Sequence, residues 1–329
     1  MAGAKVCSTH EVAAREAAAR DAAAMSAHRA ALASVATATF LMALKGWAVT
    51  ATGSVAMLGS LADSALDLVA SLVTLLGVHV AARPADRTHR FGHGKAEALA
   101  ALFQVMVITA SACGIGWRAI DRLIRGEITA NAEYGMGVSI VAILVTLLLV
   151  AYQRRVIAAT GSVAIGADHV HYQSDLLLNG AVIAALALDQ FAGLPAADPL
   201  FGVAIAFWLL WGAWRASIQA IDQLMDKEWP EQKRRRFLEV AGTHPELIGI
   251  HDLRTRTSGT TDFVQFHVWV DRDMSVAQAH EVMDQIEAKL MAEFPDTEIL
   301  IHPDPDDHVD PGQLTLAGAA ETYAMEKPA

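Results

Sequence analysis

Two short stretches decide how this chain folds: DSALD at residues 63–67 and HYQSD at residues 171–175. Both lie in otherwise apolar segments, and the ionisable ends of each are spaced i,i+4, which places them on one face of a helix. These ends are Asp63, Asp67, His171 and Asp175. An ionisable side chain in a membrane core costs at least about 2.5–3.5 kcal/mol, so this set requires a compensating partner. Three carboxylates and an imidazole suit a divalent transition metal.

The apolar segments place the chain in a membrane. Of its 329 residues, 53% are hydrophobic and 19% are charged, which is too apolar for a soluble protein of this size. Windows of about 20 apolar residues, each enough to cross about 30 Å of hydrocarbon, recur along the chain. They lie near Ala30–Thr52, Val55–Ala82, Ala96–Ile120, Tyr134–Tyr152, Val163–Leu188 and Pro199–Ile221. We therefore predict an all-α bundle of six transmembrane helices over residues 30–225.

The segments outside the bundle differ in character. Residues 1–29 are Ala-rich with scattered charges and lack the apolar core of a signal peptide, so we expect a cytoplasmic surface helix there. Hydropathy falls sharply after Asp226, and residues 226–310 have the pattern of a soluble domain. Residues 311–329 show no periodicity and predict a flexible tail.

The soluble domain predicts a small α+β layer. Helices are expected near Glu231–Thr243 and Val276–Phe294, and alternating segments predict strands at Gly249–Thr257, Asp262–Val270 and Glu298–His302. The order αββαβ is typical of one sheet covered by two helices.

The loops between the apolar segments indicate the orientation. Lys and Arg are concentrated on one side, in the N-terminal segment, in residues 83–95, at Arg154 and Arg155 and after the last span. By the positive-inside rule both termini are cytoplasmic. Arg118, Arg122 and Arg125 run against this trend.

A second candidate site lies in the loop between spans two and three. Residues 86–95 read DRTHRFGHGK and place Asp86, His89 and His93 in one turn-rich stretch. Three nitrogen and carboxylate ligands suit Zn²⁺ and leave a position open. Histidines in cytoplasmic loops are usually only solvated, so the spacing alone favours neither interpretation of this stretch.

The third candidate site is in the soluble domain. Its potential ligands lie on different elements or at their ends: His251, His267, His280, His302 and Asp304. A lone histidine is more often a core or surface residue than a ligand, but five candidates in so small a domain favour a metal site. Sequence spacing alone does not establish that they converge.

A purely structural account of the membrane residues stays open at this point. Buried carboxylates can be satisfied by one another or by Ser and Thr, and Lys45 or Arg118 could pair with one of them. The shared i,i+4 spacing of ligand-type groups favours the metal site.

The chain resembles the cation diffusion facilitator family, specifically its bacterial zinc and iron efflux branch. The resemblance is carried by residues 63–67 and 171–175, by FGHGK at 91–95, by GIHDLRTR at 249–256 and by IHPDP at 301–305. These motifs occur in order and span the chain from about Ala30 to Asp304.

The resemblance implies a homodimeric antiporter that exchanges a divalent cation for protons in a bacterial inner membrane. Its transport site would be Asp63, Asp67, His171 and Asp175, and the loop site Asp86, His89 and His93. A binuclear cytoplasmic site would use His251, His267, His280, His302 and Asp304. Expected partners are metal ions, protons, lipid and a second copy of the chain, with no nucleic acid.

The ligand chemistry favours Zn²⁺, with Cd²⁺, Co²⁺ and Fe²⁺ as alternatives, because His171 adds a nitrogen to the oxygen ligands. An all-oxygen site would instead favour Mn²⁺ or Mg²⁺. Ligands must lose protons to bind metal, so metal and protons compete for the site.

Two other functions compete with transport as interpretations of the sequence. A membrane metalloenzyme is disfavoured because the sequence has no HExxH motif and no nucleophile–base set, and Cys7 and Cys113 form no CxxC. A membrane metal sensor that does not transport would keep the cytoplasmic histidines but needs no charged site inside the membrane. We therefore expect no enzymatic activity.

Overall fold

A computed structural model describes residues 9–52, 55–125, 136–192, 197–306 and 323–324. The chain forms two compact units: one comprises residues 23–224, and the other comprises the residues from Met225 onward together with the start of the first helix, up to Ala22. The first is a bundle of six long helices: α1 (Thr9–Thr52), α2 (Val55–Ala81), α3 (Ala96–Arg125), α4 (Met136–Thr160), α5 (Val163–Ala192) and α6 (Ala197–Leu224). The predicted all-α membrane architecture is confirmed.

Within the described residues, stretches of five helices, α1, α2, α3, α4 and α6, are long and apolar enough to cross a membrane. Helix α5 carries Asp168, His171 and Asp175 among its apolar residues. Two of these three are residues that the sequence pattern marked as a site.

The first helix is longer than the sequence pattern predicts. It runs without a break from Thr9 to Thr52, joining part of the expected surface segment to the first span. The reason is composition, because alanine has the highest helix propensity and the stretch contains no proline. Ala27, Ala30 and Ala31 are fully buried and let the other helices of the bundle approach closely.

Small residues also set the spacing between α2 and α3. A β-carbon at Gly77 would lie 2.4 Å from the β-carbon of Ala100, far inside van der Waals contact. On α6, a β-carbon at Gly202 would lie 2.9 Å from that of Ala119 on α3. Glycine at both positions brings the backbones together, as is typical of membrane helix pairs.

The second unit is the predicted αββαβ layer with one addition. Its elements are α7 (Glu231–Ala241), β1 (Gly249–Ser258), β2 (Thr261–Val270), α8 (Val276–Glu293), β3 (Thr297–Pro305) and the short β4 (Tyr323–Ala324). The strand order is β3-β2-β1-β4, with β2 and β3 parallel and the other pairs antiparallel. Strand β4 falls in the segment expected to lack regular structure, where its two residues pair with Gly249 and Ile250; the rest of residues 307–329 lies outside the described residues.

The faces of the sheet have different roles. Side chains alternate along β2, and Val264, Phe266 and Val268 pack into the core with Phe237 and Ile286 from the helices. The alternate residues, including His267 and Trp269, therefore project from the opposite face. Helix α8 begins with a capping box, in which Ser275 and Gln278 each accept a backbone N–H of the other.

We predict that Gly77→Ala destabilises the transmembrane unit, because the new methyl group cannot fit between α2 and Ala100. Overpacking of this kind costs about 1–3 kcal/mol, measurable as a lower melting temperature of the purified protein in detergent. Gly114→Ala on α3 is the matched control, since a β-carbon at Gly114 would meet no atom within 4 Å and alanine favours a helix. Equal melting temperatures for the two variants would contradict the prediction.

Candidate metal centres

Helices α2 and α5 bring three of the four predicted membrane ligands together. Asp67, His171 and Asp175 each offer one ligand atom, and these atoms lie within 4.8 Å of one another. The Nε2 atom of His171 lies 3.0 Å from a carboxylate oxygen of Asp67, and the histidine is buried. We call these three residues the membrane triad.

Asp63 lies one helical turn before Asp67 but is not part of this close set. It lines the same cavity as the triad, a space of about 370 Å³ between α2, α3, α5 and α6. The structure therefore places all four predicted residues around one cavity and brings three of them to mutual ligand distance.

A buried polar network supports α5 behind the triad. The carboxylate of Asp168 is fully buried, and its Oδ2 accepts hydrogen bonds from Ser34 Oγ at 2.6 Å and Gln153 Nε2 at 2.8 Å. Tyr172 donates its hydroxyl to the carbonyl of Ser34 at 3.0 Å and meets Ser71 at 2.8 Å. These bonds join α1, α2 and α4 to α5 and so fix the orientation of the helix that carries His171.

Sequence reasoning missed this network, although one signal was present. Asp168 is a further carboxylate in the same apolar span, three positions before His171. Its partners Ser34 and Gln153 lie 134 and 15 residues away, and nothing in the local pattern connects them.

The amine of Lys45 does not pair with a carboxylate in the described part of the chain. Its Nζ donates to Ser64 Oγ at 2.7 Å and to the carbonyl oxygen of Ser60 at 3.3 Å. The direct contacts of Lys45 are therefore hydrogen bonds to serine oxygens. Arg118, the other suggested partner, lines the cavity.

The loop residues form a second cluster, which the sequence pattern predicted. Asp86, His89 and His93 offer ligand atoms within 4.8 Å of one another. Both histidines lie 3.5 Å from an oxygen of Asp86, and their rings are 4.4 Å apart. Unlike the membrane triad, this cluster is largely solvent-exposed.

The loop backbone organises its carboxylate. The Oδ1 atom of Asp86 accepts the N–H groups of His89 at 2.7 Å and Thr88 at 2.8 Å, and also the Thr88 hydroxyl. These hydrogen bonds, led by that of His89, hold the pKa of Asp86 well below its usual range. The group is therefore an anionic ligand at any physiological pH.

In the second unit, strand register assembles the histidines. His251 pairs with His267 across β1 and β2, and His267 pairs with His302 across β2 and β3. Directly paired residues on neighbouring strands point to the same face, here the face opposite the helices. The rings of His267 and His302 are 4.6 Å apart.

Asp304 is the common contact of these histidines. Its Oδ2 lies 2.8 Å from His267 and 3.3 Å from His251, and its Oδ1 lies 3.3 Å from His302. Asp304 is buried and bridges the set through both of its carboxylate oxygens. We call His251, His267, His302 and Asp304 the sheet-face cluster.

The β1–β2 register also places Asp252, which sequence reasoning overlooked, near this cluster. Its Oδ2 lies 3.8 Å from His267 Nε2. Asp252 has a positive φ of 50° and sits where the register of β1 shifts. Such an irregularity turns a side chain away from its regular position, and a strand pattern does not reveal it.

His280 is not brought to the sheet-face cluster within one chain. It lies on α8, its side chain is 75% exposed, and its Nδ1 contacts Asp284 at 3.2 Å. Within a single subunit, the structure therefore brings four of the five predicted residues close to one another.

Burial affects the ionisation of His251. It is enclosed at the sheet face and stacks on Trp269, with ring centroids 4.3 Å apart. Burial, followed by the positive charge that His267 would carry, lowers the pKa of His251. The neutral imidazole, which is the form that binds metal, is thereby favoured.

The sequence matches two family models that together span most of the chain. Residues 31–225 match the cation efflux transmembrane domain, and residues 229–306 match the cytoplasmic domain of cation efflux proteins.

The chain is also similar in sequence to relatives that it covers over nearly their full length. The chain is 43% identical to the cation-efflux pump FieF of Cronobacter sakazakii over 277 residues, covering 84% of this chain and 92% of the relative. It is 44% identical to the FieF pump of Serratia proteamaculans over 276 residues, with the same coverage. Among solved structures, the metal-bound C-terminal domain of the CzcD transporter from Thermotoga maritima is 27% identical, covers 25% of this chain and 100% of that domain, and has a TM-score of 0.24.

We predict that Asp304→Ala abolishes metal binding at the sheet-face cluster, because it removes the carboxylate that contacts all three histidines. The number of Zn²⁺ ions bound by the purified full-length protein, measured by equilibrium dialysis, should fall by at least one per chain. Asp306→Ala is the control, since this exposed neighbour lies outside the cluster. An unchanged number of bound ions in Asp304→Ala would contradict the assignment.

Proposed function

The chain belongs to the cation diffusion facilitator family, and we propose that it exports divalent transition-metal cations, principally Zn²⁺, in exchange for protons. Family membership makes it a multi-pass membrane transporter and not an enzyme. The observation that carries the finer proposal is the membrane triad, with ligand atoms of Asp67, His171 and Asp175 within 4.8 Å of one another.

The triad has the chemistry of a transition-metal site. It offers one imidazole nitrogen and carboxylate oxygens, which suit tetrahedral Zn²⁺, and Asp63 on the same cavity can supply a fourth ligand. A bound divalent cation also offsets the cost of placing carboxylates inside an apolar bundle. This set therefore fits a metal cargo better than it fits a structural salt bridge.

Proton exchange follows from the requirement that ligands be deprotonated. Metal entering the site displaces protons, and protons entering the site displace metal. An imidazole ordinarily titrates near neutral pH, so His171 is the ligand best suited to this exchange. A proton gradient directed into the cell would then drive metal outward.

The cavity needs access to one membrane face at a time. We propose that α2 and α5 rock against neighbouring helices and open the triad to either side in turn. By the Lys and Arg distribution, both termini face the cytoplasm of a bacterial inner membrane. Residues 30–225 form the transport domain, residues 226–310 the cytoplasmic metal-binding domain, and residues 1–29 and 311–329 flank them.

We further propose that the protein acts as a homodimer. His280 lies outside the sheet-face cluster of its own chain, and its exposed position on α8 leaves it available to a second subunit. A binuclear site completed in this way would stabilise the dimer when metal is bound, because a ligand that binds only the assembled form shifts the equilibrium toward it. The loop cluster of Asp86, His89 and His93 would hold a further ion at the surface.

The central test is metal flux into proteoliposomes under an imposed pH gradient. We expect Zn²⁺ uptake by the wild-type chain and a loss of at least about 10–100-fold in His171→Ala, because losing even a residue that only supports a metal ligand typically costs that much. His169→Ala is the matched control: this histidine lies on the same helix, contacts Gln153 and is not part of the triad.

The outcomes of this test separate the candidate functions. Flux that requires His171 but not His169 supports transport through the triad. A chain that binds Zn²⁺ but moves none would contradict the proposal and favour a membrane metal sensor. Equal loss in both variants would assign the effect to helix packing and not to metal ligation.

We also predict that His171→Asp shifts the cation preference toward Mn²⁺, since an all-oxygen site favours harder cations. The measurement is the ratio of Zn²⁺ to Mn²⁺ initial rates in the same vesicles, which should fall several-fold. His169→Asp serves as control and should leave this ratio unchanged. If the ratio in His171→Asp equals that of the wild type, the imidazole does not determine selectivity.

A further inference from the structure

Two arginines line the cavity that contains the membrane triad. Arg118 and Arg122 lie on α3, one helical turn apart, so both are on the face that borders the cavity. The same cavity wall carries Val107 and Ser111 from α3. Cationic side chains in the path of a cation are unexpected, and these are the residues that break the positive-inside pattern of the sequence.

The arginines lie toward one end of the bundle. Because successive helices cross the membrane in opposite directions, the end of α3 and the start of α6 belong to the same face. Pro199 and Gly202, near the start of α6, line the cavity together with Arg118 and Arg122. This face is opposite the one at which α6 ends, where the chain continues into the second unit.

The cavity extends far enough along α3 for the arginines to lie between the triad and solvent. From Val107 to Arg122 the lining of α3 spans fifteen residues, or roughly 22 Å along the helix axis. Arg122 is three residues from the end of α3, whereas His171 is buried. Arg118 and Arg122 therefore line the part of the cavity nearest the end of α3.

We propose that Arg118 and Arg122 form an electrostatic collar that lowers the affinity of the triad for divalent cations arriving from the face opposite the termini. This inference rests on the proposed transport function. The collar leaves the overall equilibrium between metal and proton gradients unchanged. It weakens binding in the state open to that face, and so favours release of the exported ion there and opposes its re-entry.

The expected size follows from Coulomb interactions in a water-filled cavity. Two positive charges within roughly one Debye length of a divalent cation reduce its binding by roughly three- to tenfold at physiological ionic strength. Screening by salt weakens this repulsion, so the effect should shrink as the ionic strength rises.

Arg125 provides a matched control on the same helix. It lies three residues beyond Arg122, carries the same charge and contacts Asp121 at 2.9 Å, but it is not among the residues that line the cavity. Replacing Arg125 therefore removes one charge from the same helix end without changing the cavity wall.

The test measures Zn²⁺ transport in membrane vesicles of both orientations, distinguished by protease access to a C-terminal tag. Where the tag is protected, the medium contacts the face opposite the termini. The apparent KM for Zn²⁺ in the medium should then be three- to tenfold lower in Arg118→Gln/Arg122→Gln than in the wild type. Where the tag is accessible, the two values of KM should agree. Arg125→Gln and the charge-conserving Arg118→Lys/Arg122→Lys should match the wild type in both orientations.

Several results would overturn the collar. These are an unchanged KM on the tag-protected side, an equal shift in both orientations, and an equal shift in Arg125→Gln. If even the wild-type chain moves no Zn²⁺, the proposed transport function fails, and Zn²⁺ binding to detergent-solubilised protein then decides the question. Asp67→Ala identifies the Zn²⁺ binding that belongs to the triad, because this variant loses it. The dissociation constant of that binding should be several-fold lower in Arg118→Gln/Arg122→Gln than in the wild type. An equal dissociation constant contradicts the collar.

Discussion

The transmembrane unit depends on one constraint: ionisable side chains must be held at fixed positions inside an apolar helix bundle. His171 and Asp67 meet this constraint by contacting each other at 3.0 Å across α2 and α5. This contact persists only if the two helices keep their rotation about their own axes and their depth in the membrane. Much of the remaining architecture of the unit can be understood as the means by which α5 is held in place.

Two kinds of packing hold α5 and its neighbours. Polar contacts through Ser34, Gln153 and Asp168 fix its rotation, because moving either partner would cost a fully buried carboxylate one of these two hydrogen bonds. Close apolar contacts fix the spacing, as where Gly77 on α2 lies against Ala100 on α3. Supporting hydrogen bonds of this type commonly decide whether a metal site keeps its geometry. The bundle thereby combines a rigid back wall with a cavity on the other side of the triad.

The sequence predicted those features that depend on local periodicity. The i,i+4 spacing placed Asp67 and His171 on site-facing helices, and alternation located the strands of the second unit to within a few residues. It did not predict that His251, His267 and His302 occupy matching positions, because strand register depends on contacts between distant segments. The separation of His280 from the cluster within one chain has the same cause, since helical spacing gives no information about the sheet face that a helix covers. Asp168 was overlooked because its partners are distant in sequence.

The three clusters differ in how firmly their ligands are held, and this difference bears on their roles. Asp304 is buried between histidines fixed by a sheet, an arrangement suited to retaining an ion. Asp86 and His89 are exposed on a loop, so their ligand set can rearrange at little cost. The membrane triad lies between these cases: its support is rigid on one side, while Asp63 and the arginines of α3 border an open cavity on the other. A transport site must bind its cargo and then release it, and a ligand set supported on one side and solvated on the other meets both requirements.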